Sequence, residues 1–449
     1  MTLAEPGRAL VVGLGVAGEA AARRLAERGW SVTVVEDRPG DASRARSASL
    51  AERGVPTHEH PDATTMARLV ADADLVVPSP PVPPTHPAIT VALARGLPVW
   101  SEFELAARWS SLPLVAITGT NGKTTVTTLV ERMLVGSGRR TVAAGNNDLP
   151  LVDALANEAR LDLVVVEASS FRLQFTERFC PAVAAWLNQA EDHLDWHGSM
   201  EHYASAKARV WAAQGPDQVA VANAEDPAVM AAAASVRSRL VTFGLARGDW
   251  RVDAGRLVGP DGATLLEVAE LRRALPHDLV NALAAAATAL AAGASPDAVR
   301  ATLPEFRGLP HRLTLVAEHA GVAYYDDSKA TDPHAALSAV AGFDSVVLLA
   351  GGRNKGLDLS VLKGVASRLR AVVAMGEAAG EVVRVFDGLV PVYVAAAMDE
   401  AVAVAGSLAR PGDAVLLSPA CASFDWYSSY TQRGDDFVRA VGELVGTPA

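Results

Sequence analysis

Short apolar runs alternate with longer segments of mixed apolar and polar residues along the whole chain. The apolar runs predict strands at 9–13, 31–35, 75–77, 98–100, 114–118, 163–167, 183–187, 219–222, 240–243, 322–325, 346–350, 371–375 and 414–417. The mixed segments predict helices, among them 17–28, 102–109 and 281–292. Strands that alternate with helices in this way are typical of parallel sheets covered by helices on both faces, so the predicted fold class is α/β.

The predicted strands and helices fall into three successive series along the chain. The first series contains the proline-rich stretch 78–84, which cannot continue a strand ladder and is predicted to be a loop. We expect a Rossmann-like domain over 1–101, a central P-loop ATPase-type domain over 102–308 and a second Rossmann-like domain over 309–449.

Composition narrows the class of protein. A length of 449 residues favours roughly two to four domains, and charges interrupt the apolar residues so often that no membrane span is predicted. The N-terminus lacks a signal-peptide pattern, and Cys180 and Cys421 are the only cysteines, so a reducing cytoplasm is expected. A net charge of −11 without a basic stripe argues against a nucleic acid partner.

A glycine-rich segment lies between a predicted strand and a helix-like segment. It reads Gly-Thr-Asn-Gly-Lys-Thr-Thr from Gly119 to Thr125. Backbone N–H groups and the positive end of the helix dipole converge there, and Lys123 adds a full charge, so we expect a phosphate site. The Thr124 hydroxyl is expected to reach a Mg²⁺ that bridges phosphate oxygens. The loop is a shortened P-loop, since Ile117 stands where the strict pattern has its first glycine.

A second glycine pattern follows the first predicted strand. Its glycines are Gly13, Gly15 and Gly18, and the acidic pair Glu36 and Asp37 comes at the end of the next strand. The pattern is that of a dinucleotide fingerprint, but the same glycines serve any pyrophosphate, and the chain already has a separate nucleotide loop. We interpret it as a diphosphate site whose ligand need not undergo redox chemistry. A glycine turn that only packs the helix against the sheet is the alternative.

Acidic and imidazole side chains follow two strands of the central domain. Glu167 ends one strand at the sheet edge where α/β proteins bind ligands, which makes it a natural Mg²⁺ ligand beside Thr124. The segment 187–197 after the next strand holds Glu191, Asp192, His193, Asp195 and His197. That segment is either a metal site or a solvated loop, and the pattern favours neither. Lys207 lies in a helix-like segment, where a lysine is ordinarily exposed.

These segments together resemble the Mur ligase family. The resemblance is carried by the shortened P-loop, Glu167-Ala-Ser-Ser, Asn188, Asp192-His193-Leu-Asp195, Lys207, Asn281-Ala-Leu-Ala-Ala, His311-Arg312, Asp327-Ser-Lys329-Ala-Thr331-Asp-Pro and Leu417-Ser-Pro-Ala-Cys-Ala-Ser423. They span all three predicted domains. The N-terminal glycine pattern, the Asp327 motif and the Ser423 ending are most similar to members that add D-glutamate to UDP-N-acetylmuramoyl-L-alanine.

The resemblance implies an ATP-dependent amide ligase of cytoplasmic peptidoglycan precursor synthesis. In that chemistry the substrate carboxylate attacks the γ-phosphate of ATP, and the amine of D-glutamate then displaces phosphate from the acyl phosphate. Carboxylate and triphosphate repel each other, so cations are needed. The resemblance implies that these cations are Lys123 and two Mg²⁺ ions. Thr124 and Glu167 would hold one ion, and His193 and a carbamylated Lys207 would hold the other. A monomer is expected.

The resemblance also assigns binding residues position by position. The expected catalytic residues are Lys123, Glu167, His193 and Lys207. For ATP the residues are Gly119, Thr120, Asn121, Gly122, Lys123, Thr124, Thr125, Asn281, Arg312, Asp327 and Lys329. For the UDP substrate they are Gly15, Val16, Ala17, Asp37, Arg38, Ser79 and Asn146. For D-glutamate they are Thr331, Lys355, Ser423, and the backbone near Phe424 and Tyr430.

Two other classes of protein share parts of these patterns. A nicotinamide dehydrogenase would use the Gly13–Gly18 loop but leaves the second nucleotide loop and the Asp327 motif without a role. A nucleotide-binding switch would keep Lys123 and Thr124 but would not need Lys355 and Ser423. Within the family, relatives that add other amino acids, including folylpolyglutamate synthases, are the nearest alternative.

Overall fold

The computed structural model describes residues 6–146 and 149–446. Strands and helices alternate over most of this range, and the three larger sheets are parallel or mostly parallel. The predicted α/β class is therefore confirmed. None of the described helices is long and apolar enough to cross a bilayer.

The first sheet has four parallel strands. They are β1 (Arg8–Val12), β2 (Ser31–Glu36), β3 (Thr57–Glu59) and β4 (Leu75–Pro78), in the order β3-β2-β1-β4. Its helices are α1 (Val16–Glu27), α2 (Asp41–Ala51), α3 (Ala63–Asp72) and α4 (Pro87–Ala94), and α5 (Glu102–Trp109) leads to the next sheet. The strand predicted at 98–100 is reduced to a single bridge between Val76 and Val99, because Pro98 has no N–H to extend a ladder.

The central sheet has six parallel strands in the order β10-β9-β8-β5-β7-β6. They are β5 (Leu114–Thr118), β6 (Ala143–Gly145), β7 (Val164–Glu167), β8 (Val183–Trp186), β9 (Val219–Asn223) and β10 (Arg239–Phe243). The helices are α6 (Lys123–Gly136), α7 (Leu151–Ala154), α8 (Ser170–Leu173), α9 (Leu194–His197), α10 (Met200–Ala212) and α11 (Pro227–Ala233), with a 3₁₀ helix at Leu155–Arg160.

A small antiparallel sheet follows, which the pattern of apolar residues did not predict. Its strands are β11 (Arg251–Asp253), β12 (Arg256–Val258) and β13 (Thr264–Glu267). Strands of three or four residues are too short for a period-two pattern to stand out. A 3₁₀ helix (Val268–Glu270) and helices α12 (Pro276–Ala291) and α13 (Pro296–Glu305) come next.

The last sheet has six strands in the order β14-β15-β19-β16-β17-β18. They are β14 (Thr314–His319), β15 (Val322–Asp326), β16 (Val346–Gly351), β17 (Leu369–Met375), β18 (Val392–Ala395) and β19 (Ala414–Leu417), parallel except for the β14–β15 hairpin. The helices are α14 (Pro333–Val340), α15 (Ala379–Phe386), α16 (Met398–Leu408) and α17 (Tyr430–Val445), with a 3₁₀ helix at Leu359–Arg368.

The chain forms two compact units. The first runs to Gln189 and resumes over Trp196–Arg272 and Asp278–Phe306; the second comprises Ala190–Asp195, Arg273–His277 and the chain from Arg307 onward. In the first unit, Phe103 and Leu105 of α5 belong to one apolar cluster with residues of β1 and β5, so the first two sheets share a core. The predicted boundaries at 101 and 308 of a three-domain division stay a prediction.

Candidate active site

The predicted P-loop joins β5 to α6. Gly119 and Gly122 have φ values of +156° and +84°, where a Cβ is strained, so glycine is required at both positions. Lys123 Nζ donates to the carbonyl oxygens of Gly119 (2.9 Å) and Thr120 (2.8 Å), which holds its charge over the loop. The positive end of the 14-residue helix α6 and the lysine therefore face one loop, as phosphate binding requires.

Two asparagines define the shape of this loop. Asn188 Oδ1 accepts from the backbone N–H groups of Thr120 (3.0 Å) and Asn121 (2.8 Å), and its Nδ2 donates to the Asn121 carbonyl (3.1 Å). A Cβ on Gly122 would lie 2.5 Å from Asn281 Oδ1. The structure thus brings Asn281, assigned to ATP, against the P-loop. Asn188 was not among the predicted binding residues, although its position just after β8 marks it as an edge residue.

Glu167 ends β7, the strand beside β5. The pairing of the two strands sets Glu167 opposite Ile117, one residue before the end of β5. The side chain is buried, and its Oε1 accepts from Asn146 Nδ2 at 3.0 Å. Thr124 lies in the first turn of α6. Carboxylate and hydroxyl oxygens are donors that Mg²⁺ prefers, so these two residues fit the predicted ion by their chemistry.

Lys207 is 1 % exposed on α10, and so is not the exposed helix residue that its position alone suggests. Its Nζ donates to Thr120 Oγ1 (2.9 Å) and to Gln189 Oε1 (2.8 Å), and it lies 3.3 Å from the centre of the Tyr203 ring. A buried amine is costly without such partners. The structure therefore places the amine one hydrogen bond away from the P-loop.

The N-terminal glycine loop packs against Ser79. A Cβ on Gly15 would lie 3.1 Å from Ser79 Oγ, and one on Gly18 would lie 2.2 Å from the Gly13 carbonyl oxygen. Gly18 is therefore required for packing. Ser79 is buried, and within the described part of the chain its Oγ has no hydrogen-bond partner. Gly15 and Ser79, both assigned to the UDP substrate, lie together and leave a hydroxyl for a ligand.

Acidic side chains at the end of β2 lie next to the N-terminal glycine loop. Glu36 accepts from the backbone N–H groups of Leu14 (2.7 Å) and Arg38 (2.8 Å), so its carboxylate organises the two segments predicted to bind UDP. Asp37 lies 2.7 Å from His86 Nε2 and is exposed, as is Arg38. Val16 is half-exposed in the first turn of α1, and Ala17 is buried.

In the second unit, Asp327 follows β15 and is buried. Its carboxylate accepts from Ser418 Oγ (2.8 Å) and from the Leu313 N–H (3.2 Å). Burial raises the pKa of Asp327 to about 7, and the Ser418 hydrogen bond and the charge of Arg312 oppose this rise. Arg312 and Asp327, both predicted to bind ATP, thus interact with each other. Lys329 Nζ lies 3.6 Å from the centre of the Tyr430 ring.

The residues assigned to D-glutamate follow three strands of the last sheet. Lys355 comes after β16, Ser423 after β19, and Thr331 after β15, at the carboxyl edge that binds ligands in such sheets. Lys355 Nζ donates to Asp192 Oδ1 at 2.9 Å, and Asp192 also contacts His193 Nε2 at 3.1 Å. Ser423 is buried, and the neighbouring Phe424 is exposed. Asp192 belongs to the segment predicted as either a metal site or a solvated loop, but no specific binding role was predicted for it.

The predicted metal residues divide between the two units. Thr124, Glu167 and Lys207 belong to the first unit, and His193 belongs to the second. Over residues 6–146 and 149–446 no three His, Cys, Asp or Glu side chains cluster as a ready-made metal site. The assignments of Thr124, Glu167, His193 and Lys207 to metal ions therefore stay predictions.

Comparison with known protein families and relatives identifies the family of this chain. Three family models match: "Mur ligase middle domain" at 117–289, "Mur ligase, glutamate ligase domain" at 311–421, and "FAD dependent oxidoreductase" at 8–110. A UDP-N-acetylmuramoylalanine–D-glutamate ligase from Frankia casuarinae is 45% identical over 97% of this chain and 94% of its own length. The chain belongs to the Mur ligase family. The ligase of the same name from Desulfosudis oleivorans is 44% identical over 97% of this chain and 96% of its own length.

Solved structures agree with the Mur ligase fold. A UDP-N-acetylmuramate–alanine ligase from Thermotoga maritima matches with a TM-score of 0.57 at 20% identity, over 98% of this chain and 99% of that one. A pseudomurein peptide ligase type C from Methanothermus fervidus matches with a TM-score of 0.58 at 17% identity, and the match covers 91% of this chain and 96% of that one. The oxidoreductase match covers the N-terminal glycine pattern that this Mur ligase shares with dinucleotide-binding folds.

Proposed function

We propose that this Mur ligase uses ATP to join D-glutamate to UDP-N-acetylmuramoyl-L-alanine. The observation that carries the proposal is the sequence identity of 45% and 44%, over nearly the whole chain, to two ligases named for that reaction. The P-loop, with Lys123 over it and the Lys207 amine beside it, supplies a matching phosphate site.

The reaction has two balanced steps. A carboxylate oxygen of the UDP substrate attacks the γ-phosphorus of ATP, so that ADP leaves and an acyl phosphate forms. The amine of D-glutamate then attacks the acyl carbon and loses a proton, and the C–O bond to phosphate breaks. The products are the amide, ADP and phosphate.

The proposal gives separate residues to the phosphates and to the metal ions. Lys123 and the N–H groups of the P-loop hold the β- and γ-phosphates, because they offer one positive charge and several donors at one point. Thr124 and Glu167 would hold one Mg²⁺, and His193 with a carbamylated Lys207 would hold a second. Bound Mg²⁺ would neutralise charge on the transferring phosphoryl group.

The remaining assignments concern specificity. Gly15 and Ser79 bind the diphosphate end of the UDP substrate, since Ser79 offers a buried hydroxyl beside the glycine loop. Lys355 and Ser423 bind the carboxylates of D-glutamate, since a cation and a hydroxyl at one sheet edge suit a dicarboxylate. We further propose that the enzyme acts as a cytoplasmic monomer.

An omission assay tests the proposal. Purified protein is incubated with Mg-ATP, UDP-N-acetylmuramoyl-L-alanine and D-glutamate, and phosphate release is measured with each substrate left out in turn. We expect sustained release only when all three are present. L-Alanine, L-lysine and L-glutamate replace D-glutamate in parallel reactions. Equal or faster turnover with any of them would assign the chain to another amino-acid specificity, and tight NADH binding would support the dehydrogenase alternative.

A further inference from the structure

We propose that Arg172 is a positioning residue for Glu167, and that it acts through the side-chain amide of Asn146. The inference rests on the proposed function, in which Glu167 is a Mg²⁺ ligand. It adds a buried ion pair, Glu102–Arg172, to the machinery of the site.

A continuous line of hydrogen bonds carries the inference. Glu102, at the start of α5, accepts from Arg172 Nε at 3.1 Å. Arg172 Nη1 donates to Asn146 Oδ1 at 3.1 Å, and Asn146 Nδ2 donates to Glu167 Oε1 at 3.0 Å. The line therefore runs from helix α5, across α8 and the loop after β6, to the end of β7.

The donor and acceptor types leave one consistent orientation for the central amide. Arginine only donates, so it must face the carbonyl oxygen of Asn146. An ionised carboxylate only accepts, so Glu167 must face the amide nitrogen. Arg172 thus fixes which way the amide points, and the amide in turn fixes one oxygen of Glu167. One donor uses one of about four lone-pair sites of a carboxylate, which leaves capacity for a metal.

Burial restrains the two ends of this line of hydrogen bonds. Glu102, Arg172 and Glu167 are all less than a tenth exposed. Glu102 also accepts from the Val152 N–H at 3.2 Å, and Arg172 Nη1 also donates to Ser169 Oγ at 3.3 Å. Burial raises the pKa of Glu102 and lowers that of Arg172, while their mutual attraction opposes both shifts. Side chains held by several buried partners keep one rotamer, as an oriented metal ligand requires.

Helix α5 carries a second buried ion pair, Glu104–Arg108, which provides a matched control. Arg108 Nε donates to the fully buried Glu104 at 2.7 Å, and Arg108 Nη2 donates to Glu177 at 2.8 Å. None of the described hydrogen bonds of this pair leads to Glu167. If buried pairs on α5 only stabilise the fold, removal of either pair should have the same consequences.

The experiment compares two double variants of the full chain, E102Q/R172M and E104Q/R108M. Each removes both charges of its pair, so that no buried charge is left unpaired. The probe is Mn²⁺, whose dissociation constant is measured by electron paramagnetic resonance in the presence of a non-hydrolysable ATP analogue. Thermal unfolding is recorded for both variants. A third variant, Asn146→Ala, interrupts the line at an exposed residue and keeps both buried pairs.

We expect E102Q/R172M and Asn146→Ala to weaken Mn²⁺ binding by about 10-fold, as is usual for residues that orient a metal ligand. E104Q/R108M should change it less than twofold, whatever its effect on the melting temperature. Unchanged Mn²⁺ binding in Asn146→Ala, or equal weakening in both double variants, would overturn the inference. If E102Q/R172M does not fold, the Mn²⁺ dissociation constant of Asn146→Ala is compared with that of wild type, and this comparison decides. The readout needs no amide product, so failure of the proposed function is detected separately by the omission assay.

Discussion

The buried lysine at the P-loop gives the sharpest test of the proposed site. In Lys207→Ala the truncation removes an amine that bonds to Thr120 and Gln189 in a position that is 1 % exposed. If Lys207 is carbamylated, the same truncation also removes an anionic oxygen ligand close to the transferring phosphate. The two effects act on different quantities, stability and turnover, and can be separated.

The expected losses of stability and of turnover can be derived from the contacts of Lys207. Loss of the two hydrogen bonds that the buried amine makes should lower the free energy of unfolding by about 1 to 3 kcal/mol. Loss of one preorganised charged group at the site of developing charge lowers kcat by about 10²- to 10³-fold, or roughly 3 to 4 kcal/mol. We therefore expect a variant that remains folded at 25 °C and is nearly inactive.

The assay is phosphate release at saturating substrates, with circular dichroism to verify folding. Acetate or formate, which can enter the space left by the carbamate, should restore part of the activity of Lys207→Ala and leave wild type unaffected. Lys363→Ala, at an exposed lysine, is the control for loss of one lysine and should behave as wild type. Full activity of Lys207→Ala without added acid would refute a catalytic role. Inactivity that no small acid relieves would refute the carbamate.

Three further outcomes are expected. Gly15→Val should raise KM for the UDP substrate and leave KM for ATP nearly unchanged, because a Cβ would lie 3.1 Å from Ser79 Oγ; equal shifts in both KM values would contradict the assignment. Lys355→Ala and Ser423→Ala should each raise KM for D-glutamate more than 10-fold, about 1.4 kcal/mol or more, and steady-state kinetics that show the rise for ATP instead would reassign them. Asp327 has a pKa raised from 3.8 to about 7, so the folded state binds more protons and its stability should fall as pH rises through this interval. Asp327→Asn should flatten that dependence in melting curves from pH 4 to pH 8, and an unchanged slope would show that another group is responsible.

The pattern of apolar residues was sufficient to predict the main strands of the three large sheets. Runs such as Leu114–Thr118 and Ala414–Leu417 are buried throughout, so they are continuous in the sequence and their bounds were predicted as observed. Periodicity failed for β14, which pairs antiparallel with β15 and exposes Leu315. A strand at the edge of a sheet is only partly buried, and its pattern is weaker for that reason.

The candidate site was predicted less completely than the fold. Motifs indicated the P-loop and Glu167, because glycine, lysine and strand-end carboxylates have fixed chemical roles. They did not indicate that Asn188 holds the loop, or that Asp192 pairs with Lys355, 163 residues later in the chain. Contacts between residues so far apart depend on tertiary structure, and one sequence carries no local signal for them.

Ligation through an acyl phosphate transfers one oxygen atom from the substrate carboxylate to the released phosphate. UDP-N-acetylmuramoyl-L-alanine with both terminal carboxylate oxygens replaced by ¹⁸O is turned over with ATP and D-glutamate, and the products are analysed by mass spectrometry. We expect one ¹⁸O in the released phosphate and one in the new amide of a product enlarged by a glutamyl residue. Phosphate without ¹⁸O, or ATP hydrolysis without that product, would contradict it.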